Sequence, residues 1–294
     1  MSSRTHRPVA WPACVYAPAM TSAPDRIRHL IDVWHEEATA VVSLLRSLDE
    51  REWSLPTDLP GWDVRAVACH LAHLESELAG RRPHEQVELP PAPHTKGPTG
   101  EFTESGLLAR ASWPTDRIID ELESSAASRY ATLEESPPRD PSAPGPGFAA
   151  VMGWSWETLL GNRCVDLWMH DQDIRRATDR GGGLDSPAAA WVAEVFTRSL
   201  PFVLGKKVGA PAGTTVVLRV TGRHVRELTV AVGSDGRGAL LGVPPADPTA
   251  TLTMDFETWT LLAGGRRPVD AVDVAISGDD QLGRRLLDNL AVTP

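Results

Sequence analysis

The hydrophobic pattern changes once along this 294-residue chain, and that change constrains its fold more than any other feature. Up to about residue 180, apolar residues recur every three or four positions, which is typical of amphipathic helices. From about residue 215 they alternate with polar residues, which is typical of strands with one buried face. The sequence therefore predicts an α+β protein with a helical N-terminal part and a smaller C-terminal part of strands and helices.

The N-terminal part contains four predicted helices, each with a single apolar stripe that needs a partner. They are predicted over residues 25–48, 64–79, 114–134 and 154–178. Stripes of this kind favour a four-helix bundle, and the interiors of such bundles are common places for metal sites. The proline-rich residues 81–100 are predicted to form a long surface connection.

The C-terminal part is predicted to combine four strands with three helices. The strands are expected near residues 216–220, 228–232, 250–254 and 272–276, and the helices over 187–202, 255–264 and 280–290. These patterns divide the chain into a bundle domain at 25–183 and an α+β domain at 184–294. Residues 1–24, in which prolines recur, are predicted to be a disordered extension.

Composition restricts the possible partners and the cellular location. The formal net charge is −10 and no long basic stretch is present, which argues against nucleic acid as a partner. No apolar run approaches the roughly 18 residues that would span a membrane. The three cysteines show no CxxC spacing, so we expect neither a disulfide framework nor a thiolate zinc cluster. We therefore predict a cytoplasmic protein with a small-molecule partner, either a monomer or a homodimer.

A candidate metal site emerges from two of the predicted helices. In RCVDLWMHDQDIRRA (163–177), Asp166 and His170 are four residues apart and therefore lie on the same face of a helix, where they can bind one divalent ion. His70, in the helix that follows the GW pair at 61–62, is the best candidate for a third ligand. The three residues would leave one coordination position open. His73, one turn from His70, is the main competitor.

Several neighbours of these residues allow two interpretations. Asp173 and Arg175 either orient His170, as groups behind metal-bound imidazoles usually do, or form an ion pair on the helix surface. Trp62 and Trp168 either line a substrate pocket or belong to the core, and we favour the core. Cys69 and Cys164, which neighbour the proposed ligands in sequence, are interpreted as small core residues.

Four segments carry a resemblance to a known family: LPGWDVRAVACHLAHLE, DLWMHDQDIRRA, TWTLLAGGRRP and VDVAISGDDQLGRRLLDNL. Together they resemble the mycothiol-dependent maleylpyruvate isomerase family. The resemblance implies a DinB-like four-helix bundle followed by a C-terminal domain similar to sterol-carrier folds. It also implies that His70, Asp166 and His170 hold a divalent metal, usually zinc. The chain departs from the characterised isomerase at one position, where that enzyme has Glu and this chain has Asp166. The shorter Asp side chain carries its carboxylate less far from the helix.

The same resemblance implies a thiol-dependent activity. The open metal position would accept mycothiol, which would isomerise a maleylpyruvate-like diacid, and Arg266 would hold a substrate carboxylate. Arg267 is nearly as good a candidate for that role. Two alternatives are a thiol S-transferase that uses the same site and a non-catalytic protein that binds a metal or an apolar ligand. Hydrolysis ranks below these, since the chain has no HExxH motif to supply a general base.

Overall fold

The computed structural model describes residues 22–81, 89 and 97–293, without the side chains of residues 97–99. The chain divides into two compact units, one of residues 20–192 and the other mainly of residues 193–294. The first unit is helical and the second contains a five-stranded sheet, so the predicted α+β class is confirmed. The domain limits at 25–183 and 184–294 stay a prediction. All but the last three residues of the predicted extension lie outside the described residues, as does most of the predicted surface connection.

The N-terminal helices are α1 (Ala23–Arg46), α2 (Val64–Leu78), α3 (Gly97–Leu108), α4 (Thr115–Glu135), α5 (Phe148–Val151), α6 (Trp156–Ala177) and α7 (Pro187–Phe202), the last of which crosses the division between the units. The bundle consists of α1, α2, α4 and α6, because α1 and α2 each pack against both α4 and α6. Its core contains the predicted apolar stripes. The buried members of the α1 stripe are Ile27, Ile31, Trp34, Ala38, Val41 and Leu45.

Helix α3 was not predicted, because its buried face is not apolar. The residues of α3 that are buried against the rest of the unit are Glu104, Ser105 and Gly106, which are polar or small. The sequence of α3 therefore lacks the apolar repeat of three to four residues that predicts the bundle helices. The helix packs against α2, and the residues from 97 to 100 that were assigned to a surface connection form its first turn.

The C-terminal unit is built on one mixed sheet. Its strands are β1 (Thr215–Thr221), β2 (Arg226–Val232), β3 (Gly238–Leu241), β4 (Ala250–Asp255) and β5 (Ala275–Gly278), and two helices follow β4 and β5, namely α8 (Phe256–Ala263) and α9 (Asp280–Asp288). The strand order is β3-β2-β1-β4-β5, with β1 and β4 parallel and the other neighbours antiparallel. Strand β3 was not predicted, because this short edge strand has no buried residue.

The strand predicted at 272–276 is wrong in position. Residues Val269–Ala271 form a turn of 3₁₀ helix, and β5 begins only at Ala275. The reason lies in the partner strand: Ala275 pairs with Thr253, and β4 ends two residues later where Asp255 caps α8. Residues before Ala275 therefore have little of β4 opposite them with which to pair.

The core of the C-terminal unit is apolar and nearly filled. A cavity of about 10 Å³ lies among Leu200, Leu204, Val216, Leu218, Val230, Leu252, Leu286 and Leu290. That is about the room of one water molecule, far too little for a lipid chain. Within the part of the chain that the structure describes, no helix is both long and apolar enough to cross a membrane.

Candidate metal centre

Helices α2 and α6 bring the three predicted ligands together. Asp63 caps α2 by accepting from the backbone N–H of Ala66 at 2.8 Å, and His70 lies two turns into that helix. Asp166 and His170 lie one turn apart on α6. One ligand atom from each of these three side chains lies within 4.8 Å of the other two.

The spacing of these atoms suits a small divalent ion. His70 Nε2 lies 3.5 Å from Asp166 Oδ1, and His170 Nε2 lies 3.6 Å from the same oxygen. Two atoms that each lie about 2.0–2.1 Å from a tetrahedral zinc ion are about 3.4 Å apart. Two imidazoles and a carboxylate are also a ligand set that zinc accepts, so the residues present fit the metal that the family resemblance implies.

The hydrogen bonding of His170 favours a cation at this site. Its Nδ1 lies 3.1 Å from Asp173 Oδ2, and Asp173 also accepts from Arg176 at 2.6 Å. A carboxylate accepts and does not donate, so Nδ1 carries a proton, and in a neutral ring Nε2 presents a lone pair to Asp166. A cation held by both groups would replace this repulsion with attraction. Asp173 is thus the orienting group of His170, whereas Arg175 pairs with Asp171 at 2.6 Å.

The protonation equilibria of the site favour metal-binding forms. Burial opposes ionisation of Asp166, but the guanidinium of Arg163 and then the two imidazoles hold its pKa well below the usual range. Burial lowers the pKa of His70, against the opposite effect of Asp166, and so favours the neutral ring. The side chains of His70 and His170 are each 8% exposed, whereas the Asp166 side chain is 30% exposed. The accessible side of the site is therefore at the carboxylate.

Two charged residues beside the site were not predicted. Arg163 Nη1 donates to Asp166 Oδ2 at 2.7 Å, and Arg163 Nε donates to Glu75 Oε1 at 3.0 Å. Their sequence signals are weak. Arg163 precedes Asp166 by three residues and so shares its helix face, and Glu75 follows His70 by five residues on a helix that is otherwise largely buried.

His73, the competing ligand, lies in a different cluster. Its Nδ1 is 3.2 Å from Arg110 Nη1, and its ring lies 4.6 Å from that of Phe102. Arg110 also forms a two-pronged ion pair with Glu121, at 2.6 and 3.0 Å. A guanidinium at the imidazole nitrogen occupies the lone pair that a metal would need, so His73 is part of the core.

The aromatic and sulfur side chains near the site divide between lining and core. Trp62 packs against both imidazoles, with ring centroids 5.2 Å from His70 and 6.0 Å from His170. Trp168 is fully buried and donates to the carbonyl of Gly183, as expected for a core residue. Cys69 and Cys164 are fully buried, and burial raises the pKa of both thiols, that of Cys69 to about 12.

Arg266 belongs to the C-terminal unit. It follows the end of α8, half-buried, and its Nη1 donates to the carbonyl of Gly264 at 2.7 Å. Arg267 is exposed. A role for either arginine in the site stays a prediction.

Comparisons with known proteins agree with this arrangement. Residues 34–175 match the profile of the mycothiol maleylpyruvate isomerase N-terminal domain, and residues 190–285 match the profile of the MDMPI C-terminal domain. The chain belongs to the mycothiol-dependent maleylpyruvate isomerase family. The two matches follow the same order as the four motifs, so the family that the sequence suggested is confirmed.

Two solved structures are similar to this member of the isomerase family. One is the crystal structure of the mycothiol-dependent maleylpyruvate isomerase, with 16% identity and a TM-score of 0.49, covering 85% of this chain and 92% of that chain. The other is a histidine-to-alanine mutant of such an isomerase, with the same identity and coverage and a TM-score of 0.46. A search of curated protein sequences finds no match.

Proposed function

We propose that this chain is a metal-dependent enzyme that uses mycothiol to convert a maleylpyruvate-like diacid from its cis to its trans isomer. The observation that carries the proposal is the convergence of His70, Asp166 and His170 on one small volume in a member of this family. A divalent metal, most simply zinc, fits this ligand set. When bound, the metal would promote deprotonation of a coordinating thiol, and the thiol would add reversibly to the cis double bond.

The side chains of the N-terminal unit would prepare the site for this chemistry. Asp173 fixes the ring of His170 so that Nε2 points towards Asp166. Trp62 covers both imidazoles, while the partly exposed Asp166 leaves an approach for small molecules. The site would therefore have an indole covering its imidazoles and a partly exposed carboxylate on the side open to small molecules.

The reacting thiol would come from a small molecule and not from the described cysteines. Cys69 and Cys164 are fully buried, and a thiol with a pKa raised to about 12, as for Cys69, stays protonated near neutral pH. Cys14 lies outside the described residues. The family name supplies mycothiol as the natural candidate.

Arg266 would contribute substrate binding from the C-terminal unit. A planar guanidinium can hold a carboxylate with two parallel hydrogen bonds and can also stabilise negative charge that develops on an enolate. A diacid offers a carboxylate for this contact. Arg267, its exposed neighbour, is the alternative for the same role.

The proposal is tested with the full-length protein reconstituted with zinc. Maleylpyruvate is supplied with mycothiol, with glutathione or with neither thiol, and both diacid isomers are quantified by chromatography. We expect turnover that needs both zinc and mycothiol, and its loss together with zinc in His170→Ala. His73→Ala is the matched control, because His73 is also buried but contacts Arg110.

Three results would contradict the isomerase proposal. A product that retains the thiol, detected by mass, would identify an S-transferase that uses the same site. Zinc binding without activity towards maleylpyruvate or a bimane electrophile would favour a non-catalytic protein. Wild-type protein that retains no zinc would remove the basis of both thiol-dependent functions. The cavity of about 10 Å³ in the C-terminal unit gives no support to an apolar ligand there.

A further inference from the structure

The carboxylate of Asp166 is shared between the candidate metal position and a buried arginine. Its Oδ1 lies within 3.6 Å of both imidazole nitrogens, while its Oδ2 lies 3.4 Å from His70 Nε2 and accepts from Arg163 Nη1 at 2.7 Å. We propose that Arg163 is a positioning residue that holds Oδ2, so that Asp166 presents mainly Oδ1, the oxygen that faces both imidazoles, to the metal. This inference rests on the metal-binding part of the proposed function.

Arg163 is itself held rigidly by Glu75. The guanidinium is 2% exposed, and both Nε and Nη2 lie within 3.0 Å of Glu75 Oε1. A guanidinium has a planar fork of donors, so one edge can bind Glu75 while another donor binds Asp166. Lysine has a single nitrogen and cannot reproduce both contacts with this geometry.

Glu75 connects this arrangement to the other bundle helices. Its carboxylate is fully buried and also accepts from Trp34 Nε1 at 2.9 Å and from Arg129 Nη1 at 3.0 Å. The Arg129 guanidinium lies 4.4 Å from the centroid of a Trp34 ring. Donors from α1, α4 and α6 thus converge on one α2 carboxylate, which restrains the orientation of Arg163.

This arrangement has two consequences for a bound metal. Asp166 would then hold the metal mainly through Oδ1, which would leave room for a small molecule at the site. The hydrogen bond from Arg163 also withdraws negative charge from the carboxylate, so a bound metal would keep more of its positive charge and would acidify a thiol more strongly. Groups that orient metal ligands in this way typically change metal affinity 10–100-fold when they are removed.

The chain offers a matched pair of variants for the test. Arg163 and Arg129 are both buried on Glu75, but only Arg163 contacts Asp166. We expect Arg163→Lys and Arg129→Lys to lower the thermal midpoint by similar amounts. Only Arg163→Lys should weaken Co²⁺ binding about 10–100-fold and alter the visible absorption of the Co²⁺ protein, which reports the ligand geometry.

Metal affinity is measured by competition with a chelator on full-length protein whose fold is checked by circular dichroism. If Arg163→Lys does not fold, Arg163→Met replaces it, because Glu75 then keeps Arg129 and methionine offers no donor to Asp166. The inference is overturned if the Arg163 variant binds Co²⁺ with wild-type affinity and spectrum, or if Arg129→Lys changes both equally. A selective Arg163 effect without isomerase activity would support the inference while rejecting the proposed reaction. Absence of metal binding in the wild-type protein would reject both.

Discussion

Two histidines three residues apart on α2 lie in clusters with opposite requirements. His73 meets Arg110, which also binds Glu121, so the protein itself supplies the positive charge of that cluster. His70 meets Asp166, whose Oδ1 also faces the lone pair of His170 Nε2 at 3.6 Å. The ring of His73 thus faces a guanidinium, whereas the rings of His70 and His170 face one carboxylate oxygen, an arrangement that a divalent cation would suit. A buried imidazole is therefore a better candidate for a metal ligand when the atoms facing its ring nitrogen are ligand atoms and not hydrogen-bond donors.

The largest expected effect separates the two histidines directly. His70→Ala removes one of three ligands and should weaken zinc binding on the order of 1,000-fold, beyond the 10–100-fold typical of orienting groups. His73→Ala should leave zinc affinity nearly unchanged but reduce the free energy of unfolding by about 2 kcal/mol, because Arg110 loses an acceptor and a void remains. Chelator competition and urea denaturation measure the two quantities. Equal zinc loss in both variants would contradict this assignment.

A proton can neutralise a buried carboxylate, as a metal ion can, and Glu37 provides the example. Burial, then the nearby carboxylate of Asp171, raises the pKa of Glu37 from 4.5 to about 8, although Arg175 opposes the shift. The unfolded chain releases this proton at lower pH than the folded chain does. The stabilisation that the protonated Glu37 carboxyl gives to the folded state is therefore fully present below about pH 4.5. It is lost as the pH rises towards 8.

Glu37→Gln, which imitates the protonated carboxyl, should remove this pH dependence. Relative to the variant, the wild-type protein should lose about 3 kcal/mol of unfolding free energy between pH 5 and pH 8, since each pKa unit corresponds to about 1.4 kcal/mol. Urea denaturation in constant excess zinc measures the difference. Glu36→Gln, at an exposed neighbouring position, is the control and should behave like the wild-type protein. Parallel pH profiles for wild type and Glu37→Gln would reject the assignment.

The close approach of α3 to α2 should make the His73 cluster sensitive to a single methyl group. A Cβ added at Gly106 would overlap the His73 ring. Gly106→Ala should therefore reduce the free energy of unfolding by about 2 kcal/mol, within the range for overpacked cores, while zinc affinity stays constant. Gly181→Ala is the control, because a methyl group there meets no atom within 4 Å. A parallel loss of zinc affinity would mean that the clusters are coupled.

The sequence predicts the parts of this protein that local periodicity determines. The spacing of Asp166 and His170 on one helix face, and the apolar stripes of the bundle helices, follow from the 3.6-residue repeat. Helix α3 and strand β3 have no buried apolar pattern, so they could be found only with their packing partners in view. The start of β5 depends on where β4 ends, which is a property of the pairing.

The supporting charges of the site are harder to predict than its ligands. In sequence, Glu75 and Arg163 look like ordinary polar residues on helices, yet both are buried and paired with each other across 88 positions. An ion pair between α2 and α6 has no local signature, because each helix alone would expose its charge. The sequence leaves two interpretations of Asp173 open, a group that orients His170 or a member of an ion pair on the helix surface. The burial of Asp173 and its contact with His170 favour the first.

The smallest expected effect concerns Trp62, which covers the rings of both His70 and His170. Trp62→Phe keeps an aromatic wall and should change zinc affinity less than about 3-fold, below 1 kcal/mol, whereas Trp62→Ala exposes both imidazoles to water and should weaken binding about 10-fold. The turn itself should survive, because the backbone of Trp62 is bound to Leu59 and Thr57. Trp53→Phe controls for the loss of an indole away from the ligands. Wild-type zinc affinity in both Trp62→Phe and Trp62→Ala would show that the ligands are held by Asp173 and Arg163 without help from the indole.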